Sequence, residues 1–258
     1  MAAAVSDADI ALAGRLADAA GAAIRPFFRR AFAMEAKADA SPVTEADRAA
    51  EAAMRAILAA ERPADGVIGE EYGADRPDAT RVWVLDPIDG TRSFVAGRAI
   101  FGTLVALLAD GVPVLGVIDQ PIAGERWLGA AGRPTTLNGA PAATRACARL
   151  ADAHLATTGP NNLAGASAAA FARVSAAARD TLWGGDCYNY ALAASGHLDL
   201  VIEAGLQLYD FAALVPVVEG AGGRMTDWAG APLTATSDGR VIAAGDAALI
   251  DQAVALLA

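Results

Sequence analysis

Basic residues other than arginine are almost missing from this chain. It has one lysine, Lys37, and two histidines, His154 and His197. Two histidines exclude a His-rich metal site. The two cysteines, Cys147 and Cys187, give neither a disulfide framework nor the paired-thiolate spacing of a zinc site, and a reducing cytosol is the expected compartment. No uninterrupted apolar run approaches the roughly 20 residues of a spanning helix; the 55% apolar content is inflated by alanine. The first nine residues carry acids and no basic stretch, unlike a secretory leader. A net charge of −10 argues against the basic face of a nucleic-acid binder. An acidic protein that handles an anionic phosphate must reverse its local potential, which divalent cations do.

What is present is concentrated in one stretch, Val82-Trp83-Val84-Leu85-Asp86-Pro87-Ile88-Asp89-Gly90-Thr91. The apolar run Val82–Leu85 has the length and β-branched content of a buried strand. Asp86 ends it; Pro87 fixes φ and Gly90 permits a tight turn. Two carboxylates three residues apart are thus delivered at a strand end beside freed amides and the Thr91 hydroxyl. Hard oxygen ligands in a cluster suit Mg²⁺, which completes its shell with water and phosphate. Taken alone, the stretch also reads as a strand followed by an Asx-type turn.

Along the rest of the chain, 6–32 reads as a long amphipathic helix capped by Ser6 or Asp7. A looser segment, 33–42, holds Lys37. A second helix opens at Thr44-Glu45-Ala46-Asp47, a capping arrangement, and runs to Glu61. A short strand from Gly66 ends in Glu70 and Glu71. Hairpin strands are predicted at 99–108 and 112–121 around Asp110-Gly111, continued as a meander through 125–131 and 135–137. The first half is thus two helices on an antiparallel sheet. The second half alternates: strands at 151–157, 181–183, 198–203, 224–227 and 241–244, with helices at 164–178, 187–195, 209–220 and 246–257. This alternation predicts a largely parallel sheet. The 258 residues suffice for one catalytic unit of two packed halves, 1–145 and 146–258.

Glu70, Asp86, Asp89 and Asp210 all sit at element ends, where open α/β sheets place ligands. Glu70-Glu71, then Asp86-Pro87-Ile88-Asp89-Gly90-Thr91, then Asp210 before Gly222-Gly223, resemble in order and spacing the inositol monophosphatase superfamily of Mg²⁺-dependent phosphomonoesterases. The resemblance implies an α/β (α+β) fold, a layered αβαβα sandwich. It implies two to three Mg²⁺ ions: one held by Glu70, Asp86 and the Ile88 carbonyl, one by Asp86, Asp89 and Asp210, and a third near Glu70 whose water shell Asp47 reaches. It further implies that Thr91, with Asp47 or Glu70, orients and deprotonates the attacking water. The amides of Gly90 and Thr91 would grip phosphate, and Lys37 would balance charge near the metal loop. A cytoplasmic homodimer acting on a small phosphate ester, away from membranes and nucleic acid, completes the implied picture.

Trp183-Gly184-Gly185-Asp186-Cys187-Tyr188, with Glu203 seven residues before Asp210, resembles the histidinol-phosphate phosphatase branch. Histidinol phosphate carries an ammonium and an imidazole, whereas inositol phosphate offers hydroxyls. Burying Asp186 beside the leaving group is costly unless a cation neutralises it, and a substrate ammonium would do so through a charge-assisted bond. Glu203 would contact the ammonium or the imidazole. Asp186 also reads as an N-cap of the helix that follows. The branch often has a basic residue before this block; Thr181-Leu182-Trp183 stands there instead, and Arg179 is the nearest substitute. Loop 157–162 is a candidate pocket wall. The expected reaction is hydrolysis of L-histidinol phosphate by metal-activated water, in histidine biosynthesis. The alternatives are an inositol-1-phosphate or broad sugar-phosphate phosphatase on the same metal core, and a non-catalytic binder of phospholigands.

Overall fold

The computed structural model describes residues 5–30, 34–36 and 42–258, with side chains described outside 31–44. Its helices are α1 (Asp7–Ile24), α2 (Glu45–Glu61), α3 (Thr91–Val95), α4 (Ala166–Ala177), α5 (Tyr188–Ala194), α6 (Leu208–Phe211), α7 (Leu214–Gly220) and α8 (Ala248–Leu257). The strands begin with a small antiparallel pair, β1 (Met34–Ala36), within the segment expected to be loose, and β2 (Pro42–Thr44), which starts at its last residue and takes in Thr44, expected to open the second helix. An eight-stranded sheet follows: β3 (Gly66–Gly69), β4 (Gly73–Asp75), β5 (Arg81–Asp89), β6 (Gly102–Ala109), β7 (Val112–Gln120), β8 (Glu125–Ala130), β9 (Arg133–Leu137) and β10 (Ala140–Pro141). A five-stranded sheet contains β11 (His154–Thr157), β12 (Asp180–Trp183), β13 (Leu200–Glu203), β14 (Arg224–Thr226) and β15 (Val241–Ala244).

Period-two burial stacks these elements in layers. Trp83, Leu85, Val105, Leu107, Leu115 and Val117 face α1 and α2. Val82, Val84, Leu104 and Ala106, on the opposite face, meet α5 and α7, which in turn meet Val201, Val241 and Ala243. Leu200, Ile202, Ile242 and Ala244 point the other way, onto α4 and α8. The order is αβαβα, as the resemblance implied. Two hairpin turns match their residues: Asp110-Gly111 has φ of 49° and 76°, and Asn138-Gly139 has 50° and 81°. Both residues of each turn are left-handed, the geometry that suits the twist of a two-residue hairpin.

Four expectations need correction. α1 stops at Ile24 rather than residue 32, because Pro26 has no amide with which to continue it. The large sheet is not wholly antiparallel, since β3 runs parallel to β5. The small sheet is mixed: β11 is parallel to β12 and β13, while β15 is antiparallel to both of its neighbours. The helix expected at 209–220 is two helices, α6 and α7. Pro216 cannot donate to the carbonyl four residues back, so it fits only in the first turn of a new helix.

Candidate active site

The acids assemble because β5 is irregular where they lie. Its register against β6 shifts between Asp86 and Asp89, as in a bulge. Pro87 sits inside the irregularity, where its lack of an amide leaves no ladder bond broken. Its carbonyl accepts a hydrogen bond from Thr103 Oγ1 at 2.8 Å. Asp210 arrives from the third residue of α6, where one of its oxygens also accepts the Gln207 amide at 2.6 Å. One carboxylate oxygen from each of Asp86, Asp89 and Asp210 then lies within 4.8 Å of the others. Glu70 follows β3 directly; its amide donates to the Leu85 carbonyl at 3.2 Å, beside Asp86 in sequence.

Both oxygens of Asp86 are buried without a hydrogen-bond donor. Burial pushes the Asp86 pKa well above the usual carboxylate range, and the charges of Glu70, Asp89 and Asp210 add to it. Asp89 is raised well above that range by burial, then by Asp186 and Asp210, although the Cys187 amide donates to it at 2.5 Å. Asp210 is pushed up to about 7, first by burial, against the opposing Gln207 amide, with Glu70 and Glu203 among the charges that add to the rise. Crowded carboxylates of this kind repel one another when ionised. A divalent cation relieves that repulsion, and a donor set made only of oxygen suits Mg²⁺. The residues present therefore fit the ion.

Around the cluster lies a cavity of about 430 Å³. Glu70, Asp89, Gly90, Thr91 and Arg92 line one side; Thr158, Asn161, Asn162, Asp186, Tyr190, Glu203, Tyr209 and Asp210 line the other. Thr91 Oγ1 donates to the Ile88 carbonyl at 3.1 Å. Gly90 has φ +84°, and a Cβ there would fall 2.7 Å from Asp186 Cγ, so only glycine permits this approach of the two segments. Asp47 is fully buried on the first turn of α2. Lys37 lies outside the described residues.

Asp186 does not cap α5. That helix begins at Tyr188 and its N-cap, Cys187, makes no side-chain cap bond. The Asp186 carboxylate turns instead to Ser93, whose hydroxyl donates to Oδ2 at 2.6 Å. Burial raises its pKa, opposed by Ser93, Arg98 and Arg92. Glu203 is buried too: Oε1 accepts the Thr158 amide at 2.7 Å and Oε2 the Tyr190 hydroxyl at 2.9 Å. Burial raises its pKa while these two donors lower it. Glu203 thus holds the pocket wall as well as lining it, and Tyr190 does more than pack.

Arg179 lies elsewhere, in a separate depression with Cys147, His154 and Asp199. The cations near Asp186 come from the first half, as Arg92 in the cavity and Arg98 beside Gly184. His197 is exposed, and burial pushes the Cys187 thiol well up, away from the thiolate. Sequence reasoning gave no role to Arg92, Ser93, Thr103 or Glu51. Ser93 was findable, two residues beyond Thr91 in the same motif. Thr103 stands in Phe101-Gly102-Thr103-Leu104, a block that also resembles the histidinol-phosphate phosphatase branch. Its bond to Pro87 has no local signal, since that partner is 16 residues away.

A profile of the inositol monophosphatase family matches residues 7–257. The chain is 50% identical over 254 residues to the bifunctional phosphatase IMPL2, chloroplastic, of Arabidopsis thaliana, covering 95% of this chain and 73% of that protein. It is 38% identical to a histidinol-phosphatase of Mycobacterium tuberculosis, covering 86% and 88%. Among solved structures, an inositol monophosphatase from Zymomonas mobilis superposes with a TM-score of 0.91 at 56% identity, covering 99% of each chain. Among the described residues no helix is long and apolar enough to cross a membrane.

Proposed function

Because the chain belongs to the inositol monophosphatase family and is a phosphatase of that family, we propose that it is a Mg²⁺-dependent phosphomonoesterase whose preferred ester is L-histidinol phosphate. The observation that carries the substrate is Asp186. The one hydrogen bond of its side chain among the described residues uses Oδ2 and leaves Oδ1 to face a ligand, and the residue lines the cavity together with buried Glu203. A wall bearing two buried acids suits an alcohol that carries a cation, which would add a charge-assisted bond to the offset that Arg92 and Arg98 already give Asp186. Inositol would bring only hydroxyls. Relatives named histidinol-phosphatase support the same choice.

In this reading Glu70, Asp86, the Ile88 carbonyl, Asp89 and Asp210 hold the metal, and the first half supplies most of that set. Mg²⁺ bound there would neutralise the phosphoryl oxygens and make a coordinated water more acidic. Gly90 and Thr91 lie against the phosphate. The Thr91 hydroxyl donates to the Ile88 carbonyl, which leaves its lone pairs to accept a hydrogen bond from the attacking water and orient it. Glu70 or Asp47 receives the other proton of that water. The water oxygen bonds to phosphorus, the bond from phosphorus to the alcohol oxygen breaks, and the alcohol leaves with a proton from solvent. Asp186, Glu203 and Asp210 hold the leaving alcohol. The place of the reaction would be cytoplasmic histidine biosynthesis.

A second reading, an inositol-1-phosphate phosphatase, is favoured by the 56% identity to a structure named inositol monophosphatase. Phosphate release from histidinol phosphate, inositol 1-phosphate, fructose 1,6-bisphosphate and phosphoadenosine phosphate, measured side by side with Mg²⁺, separates the two. Histidinol phosphate should lead by at least tenfold in kcat/KM. A lead for any other ester overturns the assignment, and no Mg²⁺-dependent release from any of them would favour a non-catalytic binder.

A further inference from the structure

Glu51 is a fully buried carboxylate that stands outside the metal cluster and has no part in the chemistry above. Glu51 lies on α2, one helical turn after Asp47 and one before Arg55, so the three share a face. Glu51 Oε1 accepts from Arg55 Nε at 2.7 Å and from the Tyr72 amide at 3.2 Å; Oε2 accepts from the Glu71 amide at 2.7 Å. Arg55 also donates to the Gly73 carbonyl. The carboxylate is pressed so closely on the β3–β4 turn that a Cβ on Gly69 would lie 2.0 Å from Oε1. The residue between Gly69 and these two amides is Glu70.

An ionised carboxylate is an expensive group with which to hold a turn, and it persists where charge-assisted bonds offset its desolvation. Here those bonds fix the backbone just beyond Glu70, while the Glu70 amide is fixed to Leu85 of β5. The Glu70 side chain therefore leaves a backbone restrained on both sides. Because Asp47 sits on the same helix face as Glu51, the same contact sets how far α2 stands from Glu70. We propose that Glu51 is a positioning residue, which presents Glu70, and Asp47 with it, to the divalent cation. This rests on the metal reading of the site, in which groups around the ligands govern metal affinity.

The test is Mg²⁺ binding to the full chain by titration calorimetry, alongside thermal unfolding and kinetics, for wild type, Glu51→Gln and Gly69→Ala. Glu51→Gln keeps the shape but turns an NH₂ toward a backbone amide; Gly69→Ala keeps the carboxylate but displaces it. Both should weaken Mg²⁺ binding by roughly tenfold or more. At saturating Mg²⁺, kcat should recover and KM for the ester should stay within about twofold. Wild-type Mg²⁺ affinity in a folded Glu51→Gln protein overturns the role of Glu51, as does a loss of activity equal at every Mg²⁺ concentration. If Glu51→Gln does not fold, Gly69→Ala decides by the same criteria. A wild type that binds no Mg²⁺ overturns the metal reading itself, a result separate from wild-type binding matched by the variants.

Discussion

Asp186 is held at φ +46° directly after two glycines that also have positive φ, a conformation a non-glycine residue adopts only when its surroundings enforce it. Three contacts enforce it here: Ser93 on the carboxylate, the Gly90 backbone against it, and the Cys187 amide on Asp89. Asp186→Ala should lower kcat/KM for histidinol phosphate by about tenfold to a hundredfold, the worth of a hydrogen bond to a charged group. Turnover of inositol 1-phosphate should change by less than about threefold. Equal losses on both esters would make Asp186 a structural residue. Gly90→Ala acts differently, because its methyl group would collide with Asp186. All esters should then suffer together, by about a hundredfold or more, since a small displacement of reacting groups is enough for that.

At the level of elements, β5 matters because it departs from regularity between Asp86 and Asp89. The Thr103 hydroxyl, fully buried, satisfies the Pro87 carbonyl. Thr103→Val should cost about 1–3 kcal/mol by leaving that acceptor unpaired, visible as a lower urea midpoint with an unchanged slope. An unaltered midpoint would show that the irregularity holds without it. The start of the strand and its acids were legible in the sequence, since Val82–Leu85 is a buried apolar run. The expected end at Asp86 was wrong, because β5 runs on to Asp89 although Pro87 and Gly90 read as turn formers. The irregularity was not legible, because it depends on a cross-strand partner that no local pattern reveals. The layers were legible through alternating periods, and the hairpins at Asp110-Gly111 and Asn138-Gly139 through their residues. The division of 208–220 into two helices was legible only if Pro216 was weighed as a first-turn residue. Glu51 was hidden because a glutamate on an Ala-rich helix reads as a solvated face until the turn it supports is seen.

Across the whole molecule, two sheets meet through a central helix layer, and the cavity takes its walls from both. Far from the cavity, Asp199 accepts both Arg145 Nε and Nη2, at 2.7 and 2.6 Å, and the His154 amide at 2.8 Å. Burial works to raise its pKa, but these partners outweigh burial and hold it below the usual 3.8. A depressed carboxyl pKa contributes stability that is present above the unfolded value and lost as pH falls through the folded one. Arg145→Ala should therefore destabilise at pH 7 and do so progressively less below about pH 4, followed by denaturant unfolding across pH. A penalty that does not vary with pH would assign the effect to lost packing. Mg²⁺ at a hundred times its dissociation constant should stabilise the native chain by about 2.7 kcal/mol, seen as a higher Tm that Asp210→Asn fails to show. The chain also carries its own optical probe. Of its four tryptophans, Trp83, Trp127 and Trp228 are buried, while Trp183 is 52% exposed and joins the Gly184-Gly185-Asp186 bend. A collisional quencher in solution meets that indole first, so red-edge emission from an unlabelled sample reports chiefly on the bend that carries Asp186.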